Sequence, residues 1–205
     1  MARSPGAPHP ARRIAQLAVG LALFGLSIAT LVRAELGLPP WDVLHQGVAT
    51  RTSLTIGTAT IVFSVLVMLL WIPLRQRPGP GTLANAVLVG AFVDVGLWLI
   101  PEVSHLGLRV AMLAGGIVLC GLATGMYVGA GLGPGPRDGL MTGIAARGVP
   151  LGVARVAIEL TALVIGWTLG GTVGLGTLAF AVLVGPVVHW AVPRMRIDRH
   201  ATTEG

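Results

Sequence analysis

This sequence predicts an all-α, polytopic membrane helix bundle: about six transmembrane helices in two inverted three-helix repeats, each with a short broken or re-entrant half-helix. Three observations lead there. The 205 residues are 54% hydrophobic and 11% charged, with mean hydropathy +0.82, whereas ordinary soluble domains carry about 25% charged residues. Apolar runs of about 20 residues, long enough to span hydrocarbon, recur six times. The stretch GTLANAVLVG at residues 81–90 also returns as GTLAFAVLVG at residues 176–185, differing only at Asn85 and Phe180, at an offset of 176 − 81 = 95. A match of that quality at so long a period marks an internal duplication.

The duplication extends backward at an offset of 96. Gly20, Gly25, Ala34 and Gly37 fall on Gly116, Gly121, Ala130 and Gly133, and Pro40, Asp42, Leu44, Gly47 and Arg51 fall on Pro136, Asp138, Leu140, Gly143 and Arg147. One residue is lost before the GTLA block. The chain therefore divides into repeat 1 (14–100), a linker (101–108) and repeat 2 (109–193), between a disordered cytoplasmic N-terminus (1–13) and a basic cytoplasmic tail (194–205). The six spans are 14–34, 54–74, 83–100, 109–129, 151–170 and 173–192. A basic segment followed by an apolar run also describes a signal peptide. The first run is longer than such a segment and matches the fourth span, so it reads as a retained helix. Glycines inside the spans, among them Gly20, Gly25, Gly116, Gly121, Gly125 and Gly129, suit close helix packing in lipid.

All fourteen basic residues are arginines, dispersed near span ends rather than gathered in a patch, which argues against a nucleic-acid partner. With the N-terminus inside, ten of them (Arg3, Arg12, Arg13, Arg75, Arg77, Arg137, Arg147, Arg194, Arg196 and Arg199) fall on cytoplasmic segments. Three, Arg33, Arg51 and Arg109, fall outside, and Arg155 lies within a span. That bias follows the positive-inside rule and puts both termini in the cytoplasm. The lone Cys120 excludes an intrachain disulfide.

Between the first and second spans of each repeat lies a Pro-x-Asp segment, ELGLPPWDVLHQGVATR in one and GLGPGPRDGLMTGIAARG in the other. Pro fixes φ at a helix start without losing a needed N–H, and Asp in the first turn meets the positive end of the helix dipole. Each segment reads as a half-helix of about ten residues, roughly 15 Å long and too short to cross the bilayer. Two readings stand side by side: a re-entrant element lining a cavity, or an amphipathic connector at the interface anchored by Trp41.

Ionisable groups inside the membrane are costly unless paired or facing a wet interior. Arg155 and Glu159 are spaced i, i+4 and can neutralise each other; their counterparts in repeat 1 are Thr60 and Ser64. Asp94 and His189 hold matching places and are candidates for a proton or polar relay. With Trp41, Asp42, Arg137 and Asp138, the Arg155–Glu159 pair makes the candidate substrate-binding set.

The Gly-x-x-Pro-Trp-Asp-Val-Leu-x-x-Gly segment at 37–47 and the Gly-Leu-Gly-x-Gly-Pro-Arg-Asp-Gly-Leu-Met segment at 131–141 resemble the YczE/YitT-type family of bacterial integral membrane proteins. The likeness continues through Arg155–Glu159 and through Gly176, Thr177, Gly185 and Pro186. It implies a multi-pass protein of the bacterial cytoplasmic membrane. No nucleotide loop, zinc signature or nucleophile elbow occurs along the chain, so neither an enzyme nor a cofactor is expected. A duplicated unit with Gly/Pro-interrupted segments points to a secondary transporter. The expected function is transport or export of a small molecule, with the bilayer and that molecule as partners and self-association compatible. The competing expectation is a non-transporting accessory or scaffold protein.

Overall fold

The computed structural model of the protein describes residues 10–197; the terminal stretches 1–9 and 198–205, which hold most of the expected disordered ends, lie outside the described residues. Eight helices and no strand occupy the described residues: α1 (Pro10–Ala34), α2 (Pro40–Arg51), α3 (Ile56–Leu74), α4 (Pro80–Leu99), α5 (Leu106–Gly129), α6 (Pro136–Ala145), α7 (Leu151–Thr168) and α8 (Leu175–Met195). Six are long and apolar enough to cross a membrane, and α2 and α6 are the short ones.

Local chemistry accounts for the boundaries. Pro40, Pro80 and Pro136 start α2, α4 and α6 at the position where a missing N–H costs nothing. The Thr55 hydroxyl caps α3 by accepting from the Thr58 N–H at 3.0 Å. After α1 and α5 the chain turns at matching places, through Glu35 (φ 51) and Gly37 (φ 115) in one half and Gly131 (φ 62) and Gly133 (φ 127) in the other. Positive φ is cheap only for glycine at such values, so the Gly37–Gly133 match has a conformational cause.

Two ends differ from the sequence expectation. Residues 10–13, expected in a disordered tail, are helical, because Arg13 is not a water-facing flank. It is 4% exposed, and its guanidinium donates to Ala130 O at 2.7 Å and Gly131 O at 3.0 Å. The C-terminal tail, expected from 194, stays packed to Ile197, whose N–H donates to Gly129 O at 3.1 Å.

Packing is exchanged between the two halves. At the centre α1 lies along α5, with α4 flanking α1 and α8 flanking α5. Each short helix then packs on the other half: α2 against α7, and α6 against α3. Four arginines secure the exchange at helix C-termini, where unpaired carbonyls and the negative dipole end favour a cation. As Arg13 caps the end of α5, Arg109 caps the end of α1, donating to Ala34 O and Glu35 O at 2.7 Å each. Arg51 donates to Leu169 O at the end of α7 at 3.0 Å, and Arg147 to Leu74 O at the end of α3 at 3.2 Å.

The repeated GTLA block is the socket for this exchange. The Gly81 N–H donates to Leu132 O at 2.9 Å, and the Gly176 N–H donates to Leu36 O at 2.7 Å. Each block thus receives the loop preceding the other half's short helix. Within the long helices glycine permits close approach: a Cβ at Gly25 would lie 2.6 Å from Val89 O, and one at Gly20 2.9 Å from Tyr127 N. Leu66, Leu69, Val87, Leu160, Leu178 and Val182 stay exposed on the outer helices. That is the lipid-facing surface such a bundle needs.

Candidate functional site

The first turns of α2 and α6 meet in the middle of the bundle, beside a cavity of about 830 Å³. Pro40, Trp41 and Asp42 line it from one half, Pro136, Arg137 and Asp138 from the other. Both short helices are internal: Trp41 to His45 are buried in α2, and Gly139, Leu140 and Met141 in α6. Their positive dipole ends therefore converge on one spot, each carrying an aspartate in its first turn.

The charges are tightly grouped. Asp42 Oδ1 lies 3.6 Å from Arg137 Nη2, joining the two halves, and 3.4 Å from His45 Nδ1. The Thr60 hydroxyl donates to Ile56 O at 2.9 Å and so can receive the Nδ1–H of His45, 3.0 Å away. Arg137 stacks over the Trp41 ring at 5.2 Å, a cation–π contact. Asp138 Oδ2 accepts from the Tyr127 hydroxyl at 2.8 Å. Two carboxylates, one guanidinium and two helix ends of about +0.5 charge each come close to neutrality. Among the described residues, Asp42 Oδ1 and Trp41 Nε1 are buried with no hydrogen-bond partner. Buried polar atoms without a hydrogen bond are costly; both residues line the cavity, and Asp42 Oδ1 has only the longer ion-pair contacts to Arg137 and His45 to offset that cost.

The expected site residues separate into two groups. Trp41, Asp42, Arg137 and Asp138 come together as the polar end of the cavity. Arg155 and Glu159 form their pair, Nε to Oε1 at 3.0 Å, on its open side, with side chains 61% and 32% exposed. His189 also lines the cavity. Asp94 does not: its Oδ1 accepts from the Gly57 N–H at 2.9 Å and its Oδ2 from the Thr55 hydroxyl at 2.6 Å, tying the start of α3 to α4. His45, Thr60 and Tyr127 were not singled out in the sequence. The i, i+3 spacing of Asp42 and His45 on a short helix was the available signal for the first; nothing local pointed to Tyr127.

Six apolar helices, with two half-helix ends meeting at the polar floor of a cavity walled by both halves, define a multi-pass membrane protein. The chain belongs to the DUF6198 family, described as a family of unknown function, which matches residues 11–193. It is 38% identical to an uncharacterized protein of Haemophilus influenzae over 180 residues, covering 87% of this chain and 83% of that one. It is 35% identical to the uncharacterized membrane protein YczE of Bacillus subtilis over 173 residues, 83% and 80% of the two chains. A third relative, the uncharacterized protein YyaS of Bacillus subtilis, is 26% identical over 189 residues, 89% and 92%. No solved structure matches significantly. The resemblance to YczE thus holds across nearly the whole chain, and the protein is a membrane protein of that family.

Proposed function

We propose that this protein is a secondary transporter or exporter of a small amphipathic molecule, bound where two inverted repeats meet in the bacterial cytoplasmic membrane, with both termini cytoplasmic. One observation carries the reading: the N-terminal ends of α2 and α6 meet at a shared cavity, with Asp42 and Arg137 3.6 Å apart across the boundary between halves. Broken helices from two repeats meeting at a central site are the arrangement in which transporters bind their cargo. The volume lies within the usual range of roughly 300–1,000 Å³ for small-molecule sites. Phe24, Met141, Phe180 and Val184 give the space apolar walls opposite the charged floor, hence an amphipathic cargo. Three crossings per repeat reverse the second copy relative to the first, and the exchanged packing of α2 on α7 and α6 on α3 supports that inversion. No bond-making step is assigned, so the reading is not that of an enzyme.

The test loads proteoliposomes with a small-molecule extract of the host cytoplasm and identifies by mass spectrometry what the wild-type protein moves and Asp42→Asn does not. Identical profiles for protein-containing and empty vesicles would replace transport by the accessory or scaffold role. Topology is read separately. With Cys120→Ala as background, Thr52→Cys should react with a membrane-impermeant thiol reagent on intact cells and Ala146→Cys should not. Equal labelling of both removes the inversion.

A further inference from the structure

Gly57 and Gly90 let α3 and α4 touch backbone to backbone, so that a Cβ on either would collide with the carbonyl oxygen of the other. Asp94 clasps this seam through its hydrogen bonds to the Gly57 N–H and the Thr55 hydroxyl. The offset of 95 carries Gly57, Gly90, Asp94 and Thr55 onto Gly152, Gly185, His189 and Pro150. In the second half that seam is open. A Cβ at Gly152 or Gly185 would meet nothing within 4 Å, both residues are exposed, and α7 stands apart from α8. The central cavity runs into this gap, between Arg155 and Glu159 on α7 and Gly185 and His189 on α8.

Glycine weakens a helix relative to alanine, so two helical glycines facing empty space lack a packing reason in this conformation. Their twins show what such a pair does when the helices meet. We infer that α7 and α8 form a gate that closes through Gly152 and Gly185, on the pattern of the α3–α4 seam, and seals the cavity on the side where it now opens. Helix α8 carries the means to bend: Pro186 follows Gly185 inside the helix, where the corresponding position in α4 is Ala91, and proline removes a helical hydrogen bond and marks kinks. The clasp is lighter than its twin. Pro150 has no hydroxyl to donate, and His189 offers at most one imidazole nitrogen to the Gly152 N–H. A weaker clasp suits a seam that opens. In the inverted arrangement the two seams lie at opposite membrane faces, one shut and one open.

The inference goes beyond transport, since helix closure is measurable without any cargo. The experiment places spin labels at Val153→Cys on α7 and Val182→Cys on α8, both outward-facing, in the Cys120→Ala background. The full chain sits in nanodiscs of phosphatidylethanolamine and phosphatidylglycerol. Electron–electron distance measurement should give two populations, the shorter being the closed gate. Gly152→Ala and Gly185→Ala add their methyl groups to open space, so both variants should fold normally. Together they should reduce the shorter population roughly tenfold or more, as expected for an overpacked contact. A single long distance unchanged by the alanines overturns the gate. So does a short population that the double variant leaves undiminished, because closure would then use another surface. A gate that closes in a protein without flux would uphold this inference and retire the transport reading.

Discussion

The α3–α4 and α7–α8 pairs hold matching places in the two halves, share the GTLA block and a pair of glycines, and are packed differently. Both have a glycine at the second residue of the first helix and another midway along the second, and both second helices carry Gly-Thr-Leu-Ala from their second residue. In the first half the helices pack closely; in the second they stand apart at the matching glycines. The difference teaches that small residues permit a contact but do not by themselves impose it. What imposes it in the first half is polar: a carboxylate with two donors in reach, where the second half has a histidine and a proline. The neighbours pull the same way. Gly166 lets α2 settle onto the backbone of α7, and the matching position in α3 is Trp71, whose indole fills that space and donates to Pro136 O at 3.0 Å. Helix α7 is thus committed to α2, while α3 is committed to α4.

The largest expected effect comes from breaking the closed seam. Gly57→Leu forces a side chain into backbone and should cost roughly 3 kcal/mol, the upper part of the overpacking range, seen as a fall in detergent-solubilised yield and in melting temperature. Gly152→Leu should leave both near wild type. Equal damage from the two would mean that the seams are alike in the membrane. Next comes the clasp. Asp94→Ala removes two hydrogen bonds to a carboxylate and should cost about 2 kcal/mol, with faster amide exchange at the start of α3. His189→Ala, which breaks nothing comparable, should leave exchange at the start of α7 unchanged.

A third comparison concerns a place where the halves agree. Arg13→Ala and Arg109→Ala each remove two hydrogen bonds to the last carbonyls of a central helix and should each cost about 1.5 kcal/mol in thermal unfolding. The more buried Arg13 should weigh slightly more. A loss confined to one of them would show that the reciprocal capping does not share the load.

These agreements and disagreements explain what could be read in the letters. The six spans were legible because hydrocarbon imposes length and apolarity on each locally, and the starts of α2 and α6 were legible because Pro and Asp mark a helix start locally. The polar floor was half legible: Asp42 and Asp138 stand out within their own repeats, but that Asp42 faces Arg137 depends on the exchange of short helices between halves. Arg13 was misread as part of a water-facing tail for the same reason, since its partner carbonyls lie more than a hundred residues away. His45 and Tyr127 gain their meaning only from the neighbours the bundle brings them. The open seam was hard to read, because Gly152 and Gly185 repeat the glycines of a closed one and only Pro150, Pro186 and His189, in place of Thr55, Ala91 and Asp94, mark the difference.

The smallest effect belongs to Arg155 and Glu159, and it sharpens the comparison by probing the open cleft. An unpaired arginine in hydrocarbon costs roughly 2.5–3.5 kcal/mol on the insertion scale, so a pair facing lipid would lose that much when Glu159 alone is removed. An exposed i, i+4 pair in water is worth only about 0.3–0.5 kcal/mol. The pair lines the cavity with the arginine 61% exposed, and a charged pair opening on a polar cavity is cheaper in water than among acyl chains, whereas the corresponding Thr60 and Ser64 are buried against their neighbours in the shut half. The double-mutant cycle of Arg155→Ala and Glu159→Ala, followed by thermal unfolding in nanodiscs, should therefore return a coupling of about 0.5 kcal/mol or less. A coupling of about 2 kcal/mol or more would put lipid at the mouth. The two halves would then differ in what fills the space between their helices, with no water-lined route into the cavity from that side.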